Sequence, residues 1–516
     1  MQRGHFRRRA LSTVVAGTLV VFASWAARAA SDLPLQGPSS TSAPYVVPMQ
    51  GTWTATALIT AGDGVRHGED VVRAYRMVGA PDGLAAFDNG DGTTTVLINH
   101  KLKPDEGTVR AHGAKGSFLS QWTLDRNSLR VLYGRDLASR VVTDGPAELS
   151  LLGSANLPAF GAFFNEVTGR GYEGLIALSG EDNGEEDRQF AWVVAERTAY
   201  ELPFFGHFRH ANAHACPDAG DTTLVIANAD VLPASRDGQA NGRMFVFIGE
   251  KQLAGNPIER AGLASGRLYG IAVDAPFISP GVPFSGNTEN RADDKGKSGT
   301  FSLVELDPHK TAPELEAAAR AGGVTSFLRP GDGAWDVRNP VRYYFTTLDR
   351  LDSTEMDGGF QTGRSRLWSL TFTDMADPAR GGRIELLLDG REGGNMFGSI
   401  AVDHTGRLYL QESTGNAAHV AKIWSYDPAE RVLLPVMRND PARFGDVVAG
   451  KSLPAKAPFT QDEASSAMLD VTGLFADANW YHGGQIFLAT VQARYRNEEP
   501  ELVEGGQLVL LYRHEP

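Results

Sequence analysis

From residue 49 to the end of the chain, apolar residues recur in short runs and almost nowhere at the 3.6-residue spacing of an amphipathic helix. Thr95-Val96-Leu97-Ile98, Leu224-Val225-Ile226-Ala227, Met244-Phe245-Val246-Phe247, Leu386-Leu387-Leu388 and Leu408-Tyr409-Leu410 are bounded by Gly, Asn and Asp. Runs too short for a helix and closed by turn-forming residues read as strands. Two stretches share one grammar: "GLAAFDNGDGTTTVLINH" at 83–100 and "GSIAVDHTGRLYLQES" at 398–413 each give a strand, an Asp-led turn, a second strand and a polar end. Hairpins repeated in this way bury their faces against one another as blades round an axis, on which the polar strand ends converge. The expected fold is all-β, a single β-propeller with loop insertions and a few short helices. One helix is predicted at 311–323, where Thr311 can cap, Pro313 and two glutamates open the element and glycines close it. The polar stretch 287–297 reads as a surface insertion, and Trp122, Trp335, Trp368 and Trp424 as packing between blades.

Composition narrows the classes further. With 42% hydrophobic and 22% charged residues the chain can bury a core, and its single cysteine, Cys216, permits neither an internal disulfide nor a four-thiolate zinc site. Arg3, Arg7, Arg8 and Arg9, an apolar run from Ala10 to Ala23 and then Ala27-Arg28-Ala29 form the pattern of a signal peptide over 1–29. That run is too short and too interrupted for a stable membrane span. The expected location is periplasmic or extracellular, by the general or the twin-arginine route. Residues 30–48, rich in Ser, Pro and Thr, read as a flexible leader, and 49–516 as one domain. The formal net charge of −13 becomes −18 without the five arginines of 1–29, so nucleic acid is not an expected partner.

The sequence carries no phosphate-binding P-loop, strand-led dinucleotide fingerprint, paired-histidine zinc helix or nucleophile elbow. "GHFRHANAH" places His207, His210 and His214 close together, but among strand-like runs that favour separate roles over shared metal ligation. The acidic pair Glu181-Asp182 follows the apolar run Leu175–Leu178 and falls where a strand end would reach the axis; 185–187 reads as a solvated loop.

Several stretches together resemble the PhoX-type alkaline phosphatases and their exported bacterial relatives: "VLINHKL…VRAHGAKGSF", "LSGEDNGEEDRQFAWV", "GHFRHANAH…LVIANAD", "RPGDGAWD", "GRSRLWSLTF", "GSIAVDHTGRLYLQESTGN" and "DEASSAMLDVT", in family order from about residue 70 to 495. The resemblance implies a six-bladed propeller whose centre holds iron and calcium and hydrolyses phosphate esters. Against the family pattern, acids are lost at several motif positions: Asn-His-Glu stands here as Asn99-His100-Lys101, an Asp-Asp pair as Ala229-Asp230, Asp-Asn as Gly398-Ser399. The iron part of the centre is therefore not expected, and the surviving acids Glu181, Asp182, Asp230, Asp332, Glu412 and Glu463 are the candidate ligands of a reduced, calcium-type centre. Asn99 and His100 would line that site, and Arg364 or Arg366 would orient a small anionic phosphate ester. Lys101 is open to two readings, an ion-pair partner replacing a lost cation or a direct anion contact. The expected function is metal-assisted phosphoester hydrolysis with an altered centre; the alternative is a non-catalytic propeller serving as a periplasmic or extracellular binding or scaffold protein.

Overall fold

The computed structural model describes all residues except 1–32, 69–71, 185, 231–241, 275–295, 297, 349–364, 414–418, 449 and 516. The expected signal peptide, Arg364 and nearly all of 287–297 lie outside the described residues.

Six blades of mainly antiparallel strands, two of them joined in one sheet, surround a central axis. The innermost strand of each blade is followed in sequence by the next strand outward, as alternating hairpins dictate. Blade 1 runs outward through Pro81–Asp88, Thr93–His100, Phe118–Asp125 and Val131–Asp136. Blade 2 opens with an irregular inner segment, bridged Leu152 to Glu181 and Asn156 to Leu178, and continues through Ile176–Gly180, Gln189–Val193 and Thr198–Glu201. Blade 3 begins at His210–Ala215, blade 4 at Pro330–Trp335, blade 5 at Phe397–Val402 and blade 6 at Glu463–Asp470. The strand Ser298–Leu306 pairs with the outer strands of both blades 3 and 4 and fuses them into one nine-stranded sheet. The predicted helix forms at Ala312–Ala321 and opens at Thr311, whose amide and hydroxyl both donate to the Glu314 carboxylate at 3.1 and 2.9 Å. Its buried Glu316 binds Arg243 of blade 3 at 2.6 and 2.7 Å.

Each junction between blades holds its own apolar cluster. Leu97 meets Trp192 between blades 1 and 2, Leu178 meets Phe245 between 2 and 3, and Ile226 meets Trp368 between 3 and 4. Leu410 meets Tyr344 between blades 4 and 5, Tyr409 meets Phe487 between 5 and 6, and Val96 meets Ile486 between 6 and 1. The ring is therefore closed, and the four tryptophans expected between blades are all buried in these clusters. Inner strands approach one another closely only where side chains are missing: a Cβ on Gly83 would lie 2.2 Å from the backbone nitrogen of Ala155 in the next blade.

The N-terminal segment corrects one expectation. The flexible leader of 30–48 is absent over its described part, because 33–48 belong to the fold. Trp53–Thr60 is the outermost strand of blade 6, paired with Gly505–Arg513, so the two ends of the chain close the ring. Val46–Pro48 adds a fifth strand to blade 5, and Tyr45 and Val46 are buried. The Ser/Pro/Thr composition concealed two apolar residues and an edge strand that tolerates its flanking prolines. Removing 33–48 should cost at least about 3 kcal/mol in urea unfolding, since a Tyr, a Val and a strand leave the interior. An unchanged midpoint would refute their role.

Candidate functional site

Two chambers along the axis are lined by described residues. The first, about 210 Å³, lies where the innermost strands begin and the second strands end. One rule selects most of its wall. In five blades the residue just past the second strand faces it, Lys101, Asp230, Leu348, Ser413 and Arg494, and in blade 2 the second residue past the strand, Asp182, does so. The starts of the inner strands supply the rest, including Asp82, Arg209, Asn212, Arg329 and Asp332. Four cations from blades 1, 3, 4 and 6 thus share one cavity with four aspartates from blades 1 to 4.

These charges are paired within the chain. Lys101 Nζ donates to Asp182 at 2.8 Å and lies 3.7 Å from Asp82. Arg209 reaches the same Asp182 at 2.8 Å, and Arg329 holds Asp230 at 2.9 Å. Arg494 binds Asp462 at 2.9 Å and Gln492 at 3.2 Å. Burial works against ionising Asp182, but the ammonium and guanidinium beside it prevail and hold its carboxyl below the usual range. Asp332 accepts from Asn212, from His214 at 2.9 Å, from the Gly333 and Ile400 amides at 2.7 and 3.1 Å and from the Ser399 hydroxyl at 2.8 Å.

Asp82 differs. Burial pushes its carboxyl up to about 6, and Lys101 only partly offsets that. An acid whose folded pKa lies above its unfolded value carries a penalty that is absent below the unfolded pKa and complete above the folded one. Asp82→Asn should therefore gain stability over the wild type as pH rises from 4 to 7, measured by paired thermal melts; a gap that shrinks over that range contradicts this environment.

The candidate residues divide by register. Asp182, Asp230 and Asp332 line the charged chamber. Glu181, Glu412 and Glu463 do not: each sits one position away, on the opposite face of its strand, and is buried between blades. Glu181 forms a two-point pair with Arg188 at 2.7 and 2.8 Å. Glu412 accepts from the Trp424 indole at 2.8 Å and the Asn395 and Lys422 amides at 3.0 Å. Glu463 accepts from the Ala421 amide at 3.1 Å. Asn99 and His100 are buried off the chamber; Asn99 donates to the Leu152 carbonyl across to blade 2, and His100 stacks on Phe118. Burial pushes the His100 imidazole down to about 3, so it is neutral. Arg366 is buried in blade 4 outside the chamber wall. The three clustered histidines separate as well: His210 is buried against Phe208, while His214 alone turns to Asp332. Asp187, expected in a solvated loop, is buried, and its carboxylate accepts the Asn183 and Gly184 amides at 2.7 and 2.8 Å.

The carboxylates present fit a multi-metal centre poorly. Among the described residues no three or more His, Cys, Asp or Glu side chains are grouped to hold a metal ion. Asp182 and Asp230 already have cations, Asp332 has five donors, and half of the candidate acids face away. A calcium ion would have to displace Lys101, Arg209 or Arg329, each half-buried, while it stayed beside the ion.

Among solved structures the chain is similar to PhoX of Pseudomonas fluorescens in complex with vanadate, a transition state analogue, with a TM-score of 0.57 and 11% identity over 91% of this chain and 96% of that one. A weaker likeness, TM-score 0.38 and 8% identity over 83% of this chain and 92% of the other, is to the GH93 α-L-arabinofuranosidase of Fusarium graminearum with arabinobiose. No family model matches the sequence, and no curated protein matches it. The likeness to PhoX is one of fold. Among the described residues no helix is long and apolar enough to cross a membrane.

Sequence reasoning missed Asp82, Arg209, Arg329 and Arg494. A signal for Asp82 was present: Pro81-Asp82-Gly83 opens its inner strand as Pro330-Gly331-Asp332-Gly333 opens that of blade 4.

Proposed function

We propose that this protein is an exported binding propeller that takes a small anion of the phosphate-ester class into the charged chamber on its own side chains. The supporting observation is the convergence of Lys101, Arg209, Arg329 and Arg494 on one cavity. Guanidinium groups match phosphoryl oxygens in pairs, and partial burial strengthens each charge-assisted bond. Arg494 has only Nε and Nη1 engaged with Gln492 and Asp462, which leaves donor capacity for a ligand. The aspartates keep the four cations fixed and spaced, so little reorganisation accompanies binding. Phosphoester hydrolysis needs an activated nucleophile and a stabilised leaving oxygen, which in a metal-assisted centre the cations supply; here the carboxylates that would hold them are engaged by Lys101, Arg209 and Arg329.

Calorimetric titration of inorganic phosphate and of phenyl phosphate into chelator-treated protein, with phenol release followed in parallel, tests this reading. Saturable binding of both, unchanged by calcium and without phenol release, is expected. Binding that requires calcium, or phenol release that does, would replace it with the metal-assisted hydrolase.

A further inference from the structure

The second chamber, about 250 Å³, occupies the other half of the axis and meets the first across Gly153, Asn212, Asp332 and Ser466, which border both. Its character is opposite. Leu84, Leu157, Ile400 and Met468 make much of its wall apolar, and no Lys or Arg is among the described residues lining it. Its charged groups are two carboxylates, Asp332 at the partition and Asp470 at the far ends of the inner strands. His214 stands beside this wall, its Nε2 2.9 Å from Asp332 and its Nδ1 facing the Asn156 side-chain amide. Asp332 is saturated by its five donors, so it contributes charge rather than a vacant acceptor. A separate acceptor is present. The Ser154 hydroxyl, 4% exposed, lines the chamber and has no hydrogen-bond partner. A buried hydroxyl beside a cavity and without a partner is a group awaiting one.

We infer that this second chamber binds a small organic amine with a compact apolar body. The ammonium would donate to Ser154 in the field of Asp332, and the body would rest against Leu84, Ile400 and Met468. The apolar wall supplies the burial, and the Asp332 and Asp470 carboxylates, with no Lys or Arg among the described lining residues, favour a cation, although Asp470 also accepts the His404 amide and lies 2.8 Å from its Nδ1. An anion is rejected here by the same carboxylate field, whereas the neighbouring chamber attracts it. The site is independent of the anion reading, because the two chambers share only their partition.

The test uses three isosteres on the whole chain: phenethylamine, 2-phenylethanol and phenylacetate, each titrated calorimetrically. Phenethylamine should bind saturably and at least about tenfold more tightly than the alcohol, a difference of roughly 1.4 kcal/mol, and phenylacetate should not bind. Val337, 54% exposed at the chamber wall, can take a charge without disturbing the core. Val337→Arg should therefore fold as the wild type does, lose phenethylamine binding about tenfold and leave the phosphate titration unchanged. Ser154→Ala should weaken the amine alone. No saturable amine binding, equal binding of the alcohol, or amine binding indifferent to Val337→Arg but lost on Arg494→Gln would each overturn the assignment.

Discussion

Arg188→Leu is expected to destabilise the protein by about 3–5 kcal/mol, the largest single-site loss foreseen, because it strands Glu181 as a buried charge without its partner. The pair is 9% and 5% exposed at the side chains, and the guanidinium also donates to the Pro146 and Glu148 carbonyls at 2.8 and 2.9 Å. It lies 5.0 Å over the Phe190 ring. The single substitution therefore removes a charge partner, two carbonyl contacts and a packed aromatic face together. Glu181→Gln in the Arg188→Leu background should recover part of the loss, since the stranded carboxylate is then neutral. Urea unfolding of the two variants decides the matter. If Arg188→Leu unfolds like the wild type, Glu181 is not held as described and becomes available to a cation again.

The second large effect falls on ligand affinity. Arg329→Met and Arg494→Met should each weaken phosphate binding by about ten- to a hundredfold, since a charge-assisted bond to an anion contributes roughly 1.5–3 kcal/mol. The two differ in their secondary consequences. Arg329 is the partner of Asp230, so its loss leaves that carboxylate facing the chamber and repelling the ligand as well. Arg494 is paired to Asp462, which is half-exposed and outside the chamber wall, so its loss removes attraction without adding comparable repulsion. The expected order is a greater loss for Arg329→Met than for Arg494→Met. Equal affinities across wild type and both variants would move the ligand elsewhere.

The all-β propeller could be read from the hairpins because strand length, Asp-led turns and polar strand ends are local properties. The blade count could not be read from spacing. Extra strands at Gly64–His67 and Ala74–Arg76, the blade-bridging Ser298–Leu306 and the helix after it interrupt any fixed period. The site was legible to within one residue, and that residue matters. Successive side chains of a strand point to opposite faces, so Glu412 enters a blade junction while Ser413 faces the axis, and Glu463 does the same beside Ala464. His100 and Lys101 show the pattern again. A motif locates the strand end, but choosing the face requires the register of the neighbouring blade, which no single sequence carries. Arg209 and Arg329 escaped notice for a related reason. They stand just before inner strands, adjacent to motif residues, and their role depends on acids contributed by blades 2 and 3.

The central claim is that the carboxylates of the charged chamber are held by the chain's own donors, Asp182 and Asp230 by its cations and Asp332 by five hydrogen bonds. Metal content measured by plasma mass spectrometry, after equilibration with calcium and removal of free ion, tests it most directly. Less than a tenth of a calcium per chain, as a rough bound for a site without vacant carboxylates, is the predicted result. One or more calcium ions per chain, lost on Asp182→Asn or Asp230→Asn, would contradict it.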